Sequence, residues 1–177
     1  MDHRFHLLPA AALVIAAPAL HATTYLSADQ ARELMFPGLA FTHEEVILAP
    51  EQLRAIAQAS GVKPFSTRLQ VWRGAAGELF IVDEVLGRHE FITFALGLDA
   101  TGAVKDVEIL QYNESYGDEI RNAAWRAQFT GKQHGATLKL DKDIQNISAA
   151  TLSCKHITEG VKRLLATYAL VLGKPAA

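Results

Sequence analysis

The chain has 177 residues, half of them hydrophobic, with 17 basic against 19 acidic side chains and a formal net charge of −2. That near balance offers neither a nucleic acid nor an anionic membrane a charge to bind. A single cysteine, Cys154, excludes an internal disulfide and any multi-cysteine metal site.

The chain opens MDHRFHLLPAAALVIAAPALHA, with Arg4 in a short polar start, an apolar run from Leu7 to Leu20 and small residues ending at Ala22. The run is too short to span a bilayer and reads as an export signal, cleaved after about Ala22. Residues 1–22 are thus expected to be a signal peptide and the mature chain periplasmic. Without them, 16 basic and 18 acidic residues remain and the net charge is unchanged. What is left suffices for one domain with a real core.

Two helices are expected in an N-terminal segment, residues 23–66. SADQARELMFPG places Ser27 three residues before Gln30, a capping-box spacing, and stops at Pro37 and Gly38. APEQLRAIAQASG starts at Pro50, repeats apolar Leu53, Ile56 and Ala57 at helical spacing, and ends at Gly61. From residue 67 the pattern changes. TRLQVWR, LFIVDEVL, HEFITFALGL and AVKDVEILQY are short apolar segments separated by glycine-containing turns. No connection between them is long enough for a crossover helix, so an antiparallel meander of about four strands is expected. ATLKL, residues 136–140, is a candidate fifth strand.

A helix is expected over Asp118–Gln128, with Ile120, Ala124 and Ala127 on one side. The last helix runs from about Leu152 to Leu172, its stripe formed by Ile157, Val161, Leu164, Leu165, Tyr168 and Leu172. Cys154 shares that face and reads as a small buried hydrophobe. Thr151 is then the natural N-cap. Helices flanking a meander make an α+β domain.

The stretch SAATLS, residues 148–153, carries the chemistry. A helix N-terminus presents unpaired backbone N–H groups and the positive end of the macrodipole, which suit a phosphate. Ser148, Ala149 and Ala150 would let a bulky group approach the backbone, and Lys155 stands one turn beyond Thr151. Small residues and a threonine before a helix also describe an ordinary capped turn.

Other conspicuous residues read as structural. His156 has no second ligand at metal spacing and reads as a surface residue. Trp125 and Phe129 are expected in the core, and Trp72 against a helix. The acids of DEV at 83–85 and DKD at 141–143 read as solvated. Neither a dinucleotide fingerprint nor a Walker loop is present, which argues against direct NADH oxidation.

SAATLS resembles the Ser/Thr-Gly-Ala-Thr motif of the FMN-binding domain family, which includes the flavin-carrying subunits of the Na+-translocating NADH:quinone reductase and of the Rnf complex. Upstream, FALGLDATGAVKDVEILQYNESYGDEI followed by AQFTGK is similar to the family's strand, turn, strand, Glu-Thr-x-Gly loop and Phe-x-Gly-Lys segment. The resemblance spans roughly residues 78–170 and implies an FMN-binding domain over residues 67–177. By position it implies FMN joined through a phosphoester to Thr151. Ser148, Ala149, Ala150, Leu152, Ser153 and Lys155 lie around it, with Glu114, Ser115 and Gly117 beside the flavin.

The resemblance also implies a periplasmic flavin transferase for maturation and a membrane redox protein as electron donor. The protein would be an electron carrier or oxidoreductase subunit rather than a stand-alone enzyme. Two positions depart from the pattern: Ala149 stands where the family has glycine, and Gln145 where it has an acid. They leave open an alternative, a flavin-free or noncovalently FMN-binding accessory module of the same fold.

Overall fold

A computed structural model describes residues 23–114 and 116–173. The expected signal peptide, residues 1–22, and Ser115 lie outside the described residues. In chain order the elements are β1 (Thr23–Thr24), α1 (Ala28–Met35), β2 (Phe41–Ile47), α2 (Pro50–Ser60), β3 (Arg68–Gly74), β4 (Leu79–Leu86), β5 (Phe91–Leu98), β6 (Val104–Tyr112), α3 (Ala123–Arg126) and α4 (Thr151–Thr167). The strands form one antiparallel sheet in the order β1-β6-β5-β4-β3-β2. The fold is the expected α+β arrangement, a meander with helices and a long C-terminal helix.

Side chains alternate across a strand, so β4 and β5 each serve two cores. Leu79, Ile81 and Val85 of β4, with Ile92, Phe94, Leu96 and Leu98 of β5, face α4 and pack on Ile157, Val161, Leu164 and Leu165. Burying each of these large side chains is worth about 2 kcal/mol. On the other face Phe80, Ala95 and Leu110 meet Ala31, Met35 and Phe36 at α1. Gly160 lets α4 sit close to the sheet, because a Cβ there would stand 2.8 Å from Val85 and 2.9 Å from Phe94.

Several expectations are corrected. The N-terminal segment is not only helical: β2 pairs with β3, and β1 with β6, at the two edges of the sheet. ATLKL adds no strand, since Leu140 makes only an isolated bridge to Ile144. There Asp143 draws the backbone into a turn, accepting the N–H of Leu138 at 3.0 Å and of Lys139 at 2.8 Å, with Lys132 Nζ at 3.3 Å. Asp143 is therefore not a freely solvated acid.

The helix expected over Asp118–Gln128 is broken. Its start, Asp118–Arg121, is a 3₁₀ turn, and Asn122 leaves the helical region at ψ 122° to cap α3 by accepting the Ala124 N–H. Trp125 and Phe129 are core residues in edge-to-face contact at 5.2 Å. The ring of Trp72 lies beneath Arg32 of α1.

Asp83, expected in solvent, is buried on the α4 side of the sheet and pairs with buried Arg163 at 2.6 Å. The partner lies too far along the chain for local pattern to reveal it. Burial pushes the Asp83 carboxyl up, against the opposing pull of Arg163.

Candidate functional site

A cleft of about 450 Å³ opens at the start of α4. Three chain segments wall it: Arg88 and His89 from the β4–β5 turn, Glu114 and Tyr116 from the loop after β6, and residues 148–153.

Thr151 is not the N-cap of α4. Residues Ser148–Ala150 form a 3₁₀ turn, closed by the Ala150 N–H on the Ile147 carbonyl at 2.8 Å, which feeds straight into the helix. Thr151 is consequently the first helical residue, at φ −52° and ψ −44°, and Ala150 takes the cap position without a capping side chain. The consequence is chemical. A capping hydroxyl would be spent on a backbone N–H, whereas Thr151 Oγ1 is exposed and, among the described residues, makes only long contacts of 3.4 Å with the carbonyls of Ile147 and Ser148. The uncapped N–H groups and helix dipole point the same way.

The loop after β6 is pinned to this helical turn. Tyr112, itself buried, donates its hydroxyl proton to the Tyr116 carbonyl, and Ser153 then donates to the Tyr112 oxygen at 3.0 Å. Burial raises the Tyr112 hydroxyl, with the Ser153 contact opposing it, so the group stays a donor. Gly117, at φ +101°, permits the approach: a Cβ there would lie 2.5 Å from the Tyr112 hydroxyl and 3.0 Å from Ser153 Oγ.

Glu114 fixes the opposite wall. Its Oε1 accepts the backbone N–H of His89 at 2.6 Å and of Glu90 at 3.1 Å. Burial alone would raise its carboxyl, but the N–H groups of His89, Glu90 and Arg88 outweigh that and hold it below the usual carboxylate range. Gly87 leaves room for this carboxylate, because a Cβ there would stand 2.6 Å from Oε1.

Of the residues singled out in the sequence, Ser148, Ala149, Ala150, Thr151, Leu152, Ser153 and Glu114 line one cleft. Gly117 underlies it, and Ser115 is outside the described residues. Lys155 does not line it: its ammonium lies 3.9 Å from Glu159, and it faces a hollow beside Gly61 and Leu140. The cation lining the cleft is Arg88, which sits in a short turn and belongs to no motif. Ala149 stands without strain, since Leu138 and Asp141 are the non-glycine residues with positive φ among the described residues.

The fit of a flavin mononucleotide rests on these features. An exposed hydroxyl, uncapped helix N–H groups, the Arg88 guanidinium and two alanines suit a phosphate and the chain behind it. Cys154 is buried and its thiol is pushed up by burial, so it is not a competing nucleophile.

Comparison with known proteins agrees. Residues 87–166 match the family model of the FMN-binding domain. The chain is also similar to one of the subunits of the Na(+)-translocating ferredoxin:NAD(+) oxidoreductase complex of Acetobacterium woodii. The two are 24% identical over 176 aligned positions covering 87% of this chain and 85% of the relative. Residues 87–166, the stretch that matches the FMN-binding domain model, carry the β4–β5 turn, the Gly117 loop and the Thr151 helix start.

Proposed function

We propose that the protein is a periplasmic electron carrier whose FMN is joined to Thr151 through a phosphoester. The observation that carries this reading is the Thr151 hydroxyl, exposed on the first residue of an uncapped helix in the cleft that Arg88 also lines. Attachment by a flavin transferase forms a bond from Thr151 Oγ1 to the FMN phosphorus of FAD. It breaks the pyrophosphate link, releases AMP and gives up the hydroxyl proton.

The bound flavin supplies the electron-carrying chemistry, so the chain needs no catalytic nucleophile or base of its own. Arg88 and the first N–H groups of α4 offset the phosphoester charge. Ala149 and Ala150 keep the approach to the backbone open, and Glu114 holds the turn that presents Arg88. A covalent link prevents loss of the cofactor in a compartment that does not resupply it. In this reading residues 1–22 are removed on export and a membrane redox protein is the electron donor. Similarity to one component of a Na(+)-translocating complex supports such a partner. Among the described residues no helix is long and apolar enough to cross a membrane, so the described domain would meet that partner by docking.

A noncovalent or flavin-free module is the second reading, favoured by Gln145 at the position of the family's acid. The nearest acid, Asp143, is engaged by Lys132 and two backbone N–H groups. Flavin fluorescence in a denaturing gel separates the two after co-expression with a flavin transferase. A fluorescent band at the protein's mass is expected, and its absence would leave the second reading.

A further inference from the structure

Two hollows, of about 390 and 280 Å³, adjoin along the flank of α4 that faces the end of α2 and the segment 133–140. They share Thr137, Leu138 and Lys162 and so form one trough. Lys139, Lys155 and Lys162 line it, and among the described residues the one acid on its walls is Glu159. Glu159 meets Lys155 at a loose 3.9 Å, whereas Lys139 and Lys162 make no ion pair among the described residues. On a chain of formal net charge −2 this is a local surplus of positive charge.

The wall that carries Lys139 is preset. Leu138 at φ +40° and Asp141 at φ +60° hold left-handed conformations that cost a non-glycine residue energy. Asp143 secures that turn through the Leu138 and Lys139 N–H groups. A fixed wall lowers the ordering cost of binding. The spacing of the cations defines the ligand. Lys155 and Lys162 are seven residues apart on one face of α4, about 10 Å along its axis. Separate anionic groups at that spacing meet both without drawing them together. An extended, polyproline-like peptide rises about 3.1 Å per residue with three residues per turn, so acids three apart stand about 9 Å apart on one side. Its apolar residues would lie against Val62 and Leu140, which are half-buried in the trough.

Resting on the reading that α4 carries FMN at Thr151, we propose that this trough docks an acidic, extended segment of the carrier's redox partner. Lys155 stands one turn from Thr151, so the partner is held on the flavin-bearing helix near its attachment end. Charge attraction of this kind speeds encounter and fixes orientation more than it adds affinity, which suits a partner that leaves after each transfer.

The test uses a fluorescein-labelled peptide of four Glu-Pro-Pro repeats, beside its Gln-Pro-Pro counterpart, on unloaded protein carrying Thr151→Ala. Fluorescence anisotropy at low salt should rise to saturation with the acidic peptide only, and the affinity should fall steeply as salt is added. Lys155→Ser combined with Lys162→Ser is expected to weaken binding about fivefold, as two exposed ion pairs imply. Lys105→Ser, on β6, is expected to leave it unchanged. Circular dichroism establishes that each variant is folded. Absence of saturable binding, equal binding of the Gln-Pro-Pro peptide, or equal loss in the Lys105→Ser protein would overturn the proposal. So would sedimentation with phosphatidylglycerol vesicles without peptide binding, which would mark a lipid surface instead. The mass of the transferase-treated wild-type chain separates the two claims. Attached FMN without peptide binding overturns the trough alone, and peptide binding without attached FMN supports the trough and overturns attachment.

Discussion

Glu114 holds His89: its carboxylate accepts the His89 backbone N–H at 2.6 Å and so ties the loop after β6 to the β4–β5 turn. Glu114, which the family resemblance implies lies beside a flavin, thus fixes the turn that carries Arg88. Glu114→Ala is expected to cost about 1 kcal/mol, at the modest end for a charge-assisted bond because the contact is partly solvent-exposed. The effect depends on pH. The folded carboxyl titrates below its ordinary value, so the contribution is complete above about pH 4.3 and fades as pH falls through the lower folded value. Thermal unfolding of wild type and variant should differ at pH 7 and converge in acid.

Gly117→Ala places a methyl group 2.5 Å from the Tyr112 hydroxyl, on a backbone at φ +101°. The strain alone costs about 1 kcal/mol or more, and the Tyr112–Ser153 contact must open as well. A lower denaturation midpoint and a marked loss of flavin loading are expected together. Ser153→Ala is the milder partner: it removes one hydrogen bond and should leave loading measurable.

Gly160→Ala tests how closely α4 sits on the sheet. Alanine gains up to about 1 kcal/mol of helix propensity, but the added carbon meets Val85 at 2.8 Å and the Phe94 ring at 2.9 Å. Both neighbours are buried and stiff, and overpacking of this kind costs about 1–3 kcal/mol. Net destabilisation is expected in chemical denaturation, where propensity alone predicts a gain.

Asp83→Ala strands the Arg163 guanidinium in the core, with an expected cost of about 3–5 kcal/mol. Replacing both partners with apolar residues of similar size should recover most of it. Equal stability losses in the single and double variants would contradict the account of this pair as a buried charge couple.

What was legible in the sequence was whatever a local period could carry. The stripe from Ile157 to Leu172 repeats every three or four residues because one face of α4 lies on the sheet, and the meander showed as apolar runs between glycine turns. β2 showed no such run. It is an edge strand whose acids Glu44 and Glu45 pair with Arg73 and Arg68 of β3, so FTHEEVI lacks an apolar face. The Thr151 motif was readable as a motif, but its helix register was not, because the preceding 3₁₀ turn moves the cap to Ala150. Arg88 and the Asp83–Arg163 pair depend on contacts between distant segments, which no spacing along the chain encodes.

The most direct measurement is the intact mass of the exported chain after co-expression with a flavin transferase, beside Thr151→Ala. One FMN phosphoester on the wild-type chain and none on the variant is the predicted result. An unmodified wild-type chain, or a flavin that persists on Thr151→Ala, would contradict attachment at the first residue of α4.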